Sequence, residues 1–131
     1  MKTILIFFVL LIGGIVCLHH CLQNGSVLRY IDKHPNEKGV PEATYYIGQG
    51  YYLLQDLQTA ATYFFRAAQR YSDSALGDDA SFAYLQCLDD SVSLSRPELI
   101  AVYKTYLEKY PNGRHADLAK SRLDSYSTSG R

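Results

Sequence analysis

The chain has 131 residues, 47% of them hydrophobic and 20% charged, enough to bury one modest core and to form one folded domain. Its 13 basic and 13 acidic residues cancel, so the electrostatic footprint of a nucleic-acid binder is missing and no nucleic acid is expected as a partner. Three cysteines without a second ligand pair, and no glycine-rich phosphate loop, argue against structural zinc and nucleotide sites.

Met1 and Lys2 precede an apolar run from Ile4 to Val16 that Cys17 and Leu18 extend. The run has about the length of a signal-peptide core, but no pair of small residues follows it where a signal peptidase would cut. Val16 before Cys17 and His20 before Cys21 are poor residues for lipoprotein processing. A single helix over residues 3–22 would rise about 30 Å, the thickness of the hydrocarbon core. The sequence therefore reads as an uncleaved anchor in residues 1–24, with residues 4–18 in the membrane. Cleavage, or lipidation at Cys17, is the alternative. Lys2 and the amino terminus keep the start cytoplasmic, which puts the following domain on the extracytoplasmic, periplasmic side of an inner membrane.

Cys17, His20 and Cys21 share one face of such a helix, as weak candidates for a metal. With no second ligand pair, neither a metal nor any other cofactor is expected. Asn24-Gly25-Ser26 then interrupts the helix and opens a second domain, residues 25–126, beginning with a short helix over Val27 to His34.

Between Pro41 and Ser72 two amphipathic helices follow each other. Thr44, Ile47, Gly48 and Tyr51 fall three and four residues apart on the first, and Ala60, Phe64, Ala67 and Tyr71 do so on the second. Asp56, between them, caps the second. The product is a helical hairpin with small residues facing large ones. Further on, Asp78 and Asp79 are acids placed in a first helical turn, where the helix dipole favours them, and Cys87 is a buried small hydrophobe. Asp89 to Leu94 is expected as loop, because Ser95-Arg96-Pro97-Glu98 is a capping box opening a helix from Arg96 to Tyr110. A last helix, Arg114 to Tyr126, carries Leu118 and Leu123 on one side; residues 127–131 are a disordered tail.

The hairpin recurs. Residues 110–119 align without gaps on 71–80 and on 34–43, with Ala119, Ala80 and Ala43 in register at offsets of 37 (43 to 80) and 39 (80 to 119) residues. Gly48, Tyr51, Ala60, Phe64 and Ala67 follow the small-aromatic-small-aromatic-small order of tetratricopeptide repeats, which this chain resembles, with Thr44 where that family has Trp and Ser72 where it has Pro. The Tyr110-Pro111-Asn112 junction before an Ala-rich helix is similar to the periplasmic branch of that family, the repeat domains of outer-membrane-protein assembly lipoproteins and of Tol-Pal coordinators. The resemblance implies an all-α fold, a short α-solenoid of antiparallel helix hairpins behind an N-terminal hydrophobic helix. It also implies a non-catalytic scaffold for envelope proteins, as a small subunit or accessory factor of an envelope assembly; the alternative is a processed periplasmic protein or lipoprotein acting in outer-membrane or cell-wall assembly.

In that family the first-helix face away from the hairpin partner lines a peptide groove. Here it would hold Tyr45, Gln49 and Tyr52, and one repeat later Phe82, Gln86 and Asp89. The groove is thus aromatic, amide-bearing and acidic, suited to a protein segment with apolar side chains and some positive charge. No enzyme is expected: Ser91, Ser93 and Ser95 lack a histidine partner nearby, and turn chemistry at repeat junctions explains His34 and His115.

Overall fold

The computed structural model describes residues 2–128, apart from the side chains of residues 2–5, 7, 8, 18, 19, 22 and 23. Among the described residues the protein is all-helical, with α1 (Lys2–Gln23), α2 (Ser26–Lys33), α3 (Val40–Leu53), α4 (Leu57–Arg70), α5 (Ala75–Asp90), α6 (Arg96–Lys109) and α7 (Ala116–Thr128). The chain divides into two compact units, Met1–Asn36 and Glu37–Arg131.

In the first unit α1 ends at the expected break. Gly25 takes a left-handed φ of 73°, which a side chain would oppose, and the Asn24 carboxamide oxygen accepts from the Ser26 amide at 3.0 Å. Ile6, Val9, Leu10, Ile12, Ile15 and Val16 are all exposed, so the described part of α1 is apolar all round. No helix is long and apolar enough, among the described residues, to cross a membrane. The segment expected over residues 4–18 falls partly on side chains outside the described residues.

In the second unit consecutive helices pack on one another. Asp56 caps α4 as expected, accepting from the Thr59 amide at 3.1 Å. Gly48 is where α3 and α4 come closest: a β-carbon there would lie 2.8 Å from the Phe64 ring, which is itself only 1% exposed. Burying that ring contributes about 1.5–3 kcal/mol. Ala60, Phe64, Ala83 and Cys87 form one core cluster, and Ala67, Ala68 and Ala80 another, so the small residues are the contact line of α4 with α5. Tyr51 stacks on Tyr63 with centroids 5.8 Å apart. A third cluster joins Phe82 and Leu85 of α5 to Tyr103 and Tyr106 of α6 and to Ala119 of α7.

Apart from one-residue differences at α2 and at the end of α6, three boundaries differ from the sequence reading. Asp89 and Asp90 are the last turn of α5 and not loop, because tyrosines from three other helices hold them there. α7 begins at Ala116, where Arg114 and His115 are drawn into bonds with α5, and it continues through Thr128; residues 129–131 of the expected tail lie outside the described residues. Leu118 is 50% exposed, and it is Ala119 that packs, with Leu123. The capping box is present: the Glu98 carboxylate accepts from the Ser95 hydroxyl at 2.5 Å and from the Ser95 amide at 2.7 Å, and these bonds, the hydroxyl's first, lower its pKa.

Candidate functional site

Helix α5 is the element through which α3, α6 and α7 meet, and its acids do the joining. Asp78, only 7% exposed, accepts from the Tyr106 hydroxyl through one oxygen and from the Arg114 amide at 2.7 Å through the other. Asp79 takes the Arg114 guanidinium at 2.8 Å and His115 Nε2 at 2.9 Å. Asp89 accepts from Tyr103 at 2.9 Å and from Tyr126, and Asp90 accepts from Tyr52. Asp78 stands in the first turn of α5 as expected, with Asp79 next to it, and the structure adds that both accept from specific donors beyond α5. His115 is likewise more than a turn residue, since it stacks on Phe82 at 4.6 Å and 7°.

These bonds carry a register. Asp78 to Arg114, Asp79 to His115, Asp89 to Tyr126 and Tyr52 to Asp90 join residues 36, 36, 37 and 38 apart. Such a near-constant separation means that α3, α5 and α7 run parallel, at separations within three residues of the 37 and 39 read from the sequence. Along α6 the order reverses, Tyr103 meeting Asp89 and Tyr106 meeting Asp78, so α5 and α6 are antiparallel. The tyrosine-rich composition thus has a physical cause, as rings fill the core while hydroxyls satisfy carboxylates at its edge.

The same bonds set the acidity of the tyrosines. The hydrogen bond to Asp90, then burial, pushes Tyr52 up to about 12. Burial first, and the carboxylate bond second, holds Tyr103 and Tyr106 well above the usual range. Burial raises the Cys87 thiol to about 11, so it stays protonated and unreactive at neutral pH.

Of the expected groove residues, the structure brings Gln49, Tyr52 and Gln86 together. With Leu53, Phe64 and Ala83 they line a hollow of about 190 Å³ between α3 and α5, an apolar floor between two carboxamides. Gln49 donates to the Tyr45 hydroxyl at 2.7 Å, while the Tyr45 ring lies 5.6 Å from that of Phe64. Phe82 does not belong to this surface: it is 4% exposed, between Tyr106 and His115. Asp89 is turned to Tyr103 and Tyr126, and Asp90 is the acid bound to the groove residue Tyr52. One residue, about 100° round the helix, decides this, because the repeat offset was carried across at 37 residues while the Tyr52 to Asp90 pair is 38 apart.

Among the metal candidates, Cys17 and His20 are exposed and Cys21 is half-buried, all with free thiols where they are cysteines. No group of three or more His, Cys, Asp or Glu side chains able to hold a metal ion occurs among the described residues. No family model matches the chain, and no curated protein matches it.

Proposed function

We propose that the protein is a membrane-anchored, non-catalytic scaffold. A short tetratricopeptide-like α-solenoid, held on the extracytoplasmic side by α1, grips a segment of an envelope protein in the groove between α3 and α5. The observation that carries this reading is the hollow lined by Gln49, Tyr52, Phe64 and Gln86. A floor formed by the Phe64 ring and Ala83 accepts one apolar side chain, and the flanking carboxamides can donate to and accept from the backbone on either side of it. Asp90 beside Tyr52 favours a segment with positive charge. The exposed, all-round apolar surface of α1 supports the anchoring half of the proposal, since such a surface is costly in water.

The test is photocrosslinking in intact membranes, with a photoreactive residue replacing Gln86 and the adduct identified by mass spectrometry. One defined adduct, lost when Gln49→Arg fills the hollow, is the expected result. Adducts unchanged by Gln49→Arg would refute the groove, and full release of the protein by alkaline carbonate would refute the anchor.

A further inference from the structure

Where α1 gives way to α2, Asn24, Ser26 and Arg29 form a chain of polar contacts. Asn24 is exposed, and its carboxamide oxygen accepts twice from Ser26, from the amide at 3.0 Å and from the hydroxyl at 2.6 Å. The Ser26 hydroxyl oxygen accepts in turn from the Arg29 guanidinium at 3.2 Å. A cation behind a hydroxyl makes it a stronger donor, so all these contacts draw electron density away from the Asn24 amide carbon, Cγ. Next along the chain stands the main-chain nitrogen of Gly25, a residue where an added β-carbon would meet nothing within 4 Å.

The chain holds a second Asn-Gly pair, Asn112-Gly113, in a different setting. There the Gly113 amide donates to the Tyr110 carbonyl at 3.1 Å, and an added β-carbon would lie 2.6 Å from the Asp78 carboxylate. Its nitrogen is held by that bond, and the carboxylate beside it opposes any negative charge that develops nearby.

We propose that Asn24 is a self-modification site, at which the Gly25 nitrogen displaces ammonia from the Asn24 carboxamide. The nitrogen gives up its proton and bonds to Cγ, and the negative charge that develops on Oδ1 falls on the two Ser26 donors already in place, as in an oxyanion hole. The Cγ–Nδ2 bond then breaks, and Nδ2 leaves with a proton as ammonia. Water opens the five-membered imide that remains. Attack at Cγ gives an aspartate, and attack at the main-chain carbonyl of the same residue gives an isoaspartate. Neither route needs an oxidant or a reductant. Either product carries a carboxylate in place of the neutral amide at the amino end of α2, where negative charge is favoured. The isoaspartate also adds one carbon to the main chain, so the junction between α1 and α2 changes in charge and in length as the protein ages. This site stands independently of the groove and of the anchor.

The experiment incubates the full-length protein in detergent micelles in oxygen-18 water at neutral pH. Mass spectrometry of proteolytic peptides follows Asn24 and Asn112 in the same molecules, each conversion registering as loss of ammonia and uptake of one labelled oxygen. An isoaspartyl methyltransferase counts the isoaspartate. Asn24 should convert at least about tenfold faster than Asn112. Ser26→Ala should slow it by about tenfold, the effect of one hydrogen bond to a charged oxygen, and Arg29→Gln by about threefold, with Asn112 unchanged. Ser26→Thr, which keeps the hydroxyl, should retain the rate. In urea, where the donors are no longer placed, the two sites should converge. Equal rates for Asn24 and Asn112 in the folded protein would overturn the proposal. So would a fast Asn24 that Ser26→Ala and Arg29→Gln leave unchanged, or one equally fast in urea, since the Asn-Gly sequence alone would then suffice.

Discussion

Replacing Tyr106 by Phe removes one oxygen atom from the centre of the second unit and nothing else. The ring keeps its contacts with Phe82 at 5.7 Å and Tyr110 at 5.4 Å, so the packing contribution stays in place. What goes is the hydroxyl donor to Asp78, a carboxyl 7% exposed whose other oxygen is taken by the Arg114 amide. Water cannot replace the donor without opening the α5–α6 contact. A hydrogen bond to a charged, buried acceptor contributes about 1.5–3 kcal/mol. For a protein of this size that lowers the thermal midpoint by roughly 5 to 12 °C. Circular dichroism melts of Tyr106→Phe, Asp78→Asn and the double variant measure both the loss and the coupling, expected at about 1–2 kcal/mol. Melts that shift by less than about 1 °C, or losses that simply add, would show that Asp78 is held by the Arg114 amide alone.

Alkali should unfold the protein in a defined window. Tyr52 and Tyr63 are raised to about 12, Tyr52 first by its bond to Asp90 and Tyr63 first by burial. A folded pKa above the unfolded value of about 10 means that the stabilisation is complete below pH 10 and lost as pH rises through about 12. Melting midpoints that stay flat across that window would refute it. Gly77→Ala should cost at least about 3 kcal/mol, because the β-carbon would lie 2.1 Å from the Tyr71 carbonyl oxygen, a backbone atom that cannot swing aside. Urea denaturation reads this, and a midpoint equal to that of the parent would contradict the close approach. Val92 is β-branched, exposed and left-handed at a φ of 51°, so Val92→Gly should stabilise by about 1 kcal/mol. A lower midpoint in the same assay would argue against that conformation. Ala67→Leu, at a position with 0% exposure, should cost about 1 to 3 kcal/mol by overpacking, and an unchanged thermal midpoint would argue against the helix register.

The helices and their spacing were legible because periodicity and capping are local properties. Asp56 and Ser95 mark helix starts by chemistry available within three residues, and Gly48, Ala60 and Ala67 announce close approach by their size alone. The roles of the acids were not, because they depend on donors 14 to 38 residues away. Asp89 and Asp90 look like loop when only their helix-end charge is considered, and become the end of a helix when Tyr52, Tyr103 and Tyr126 are brought to them. A signal was available: each carboxylate pair of α5 has a tyrosine, arginine or histidine one repeat away. Phe82 was misplaced for a related reason. A repeat offset known to within one residue still leaves about 100° of doubt about which way a side chain points.

Nearly every donor to the α5 carboxylates lies after them in the chain, and this gives synthesis a direction. Asp78, Asp79 and Asp89 are made before Tyr103, Tyr106, Arg114, His115 and Tyr126, the last of which follows Asp89 by 37 residues. At about 5–20 residues per second, the ribosome needs roughly 2 to 7 s to add that stretch. During those seconds Asp78, Asp79 and Asp89 have only solvent, Asp90 alone having its donor, Tyr52, already made, so the unit closes late and from its carboxyl end. A chain that stops short of α6 therefore keeps the helices it has completed but, of these donors, holds only Tyr52.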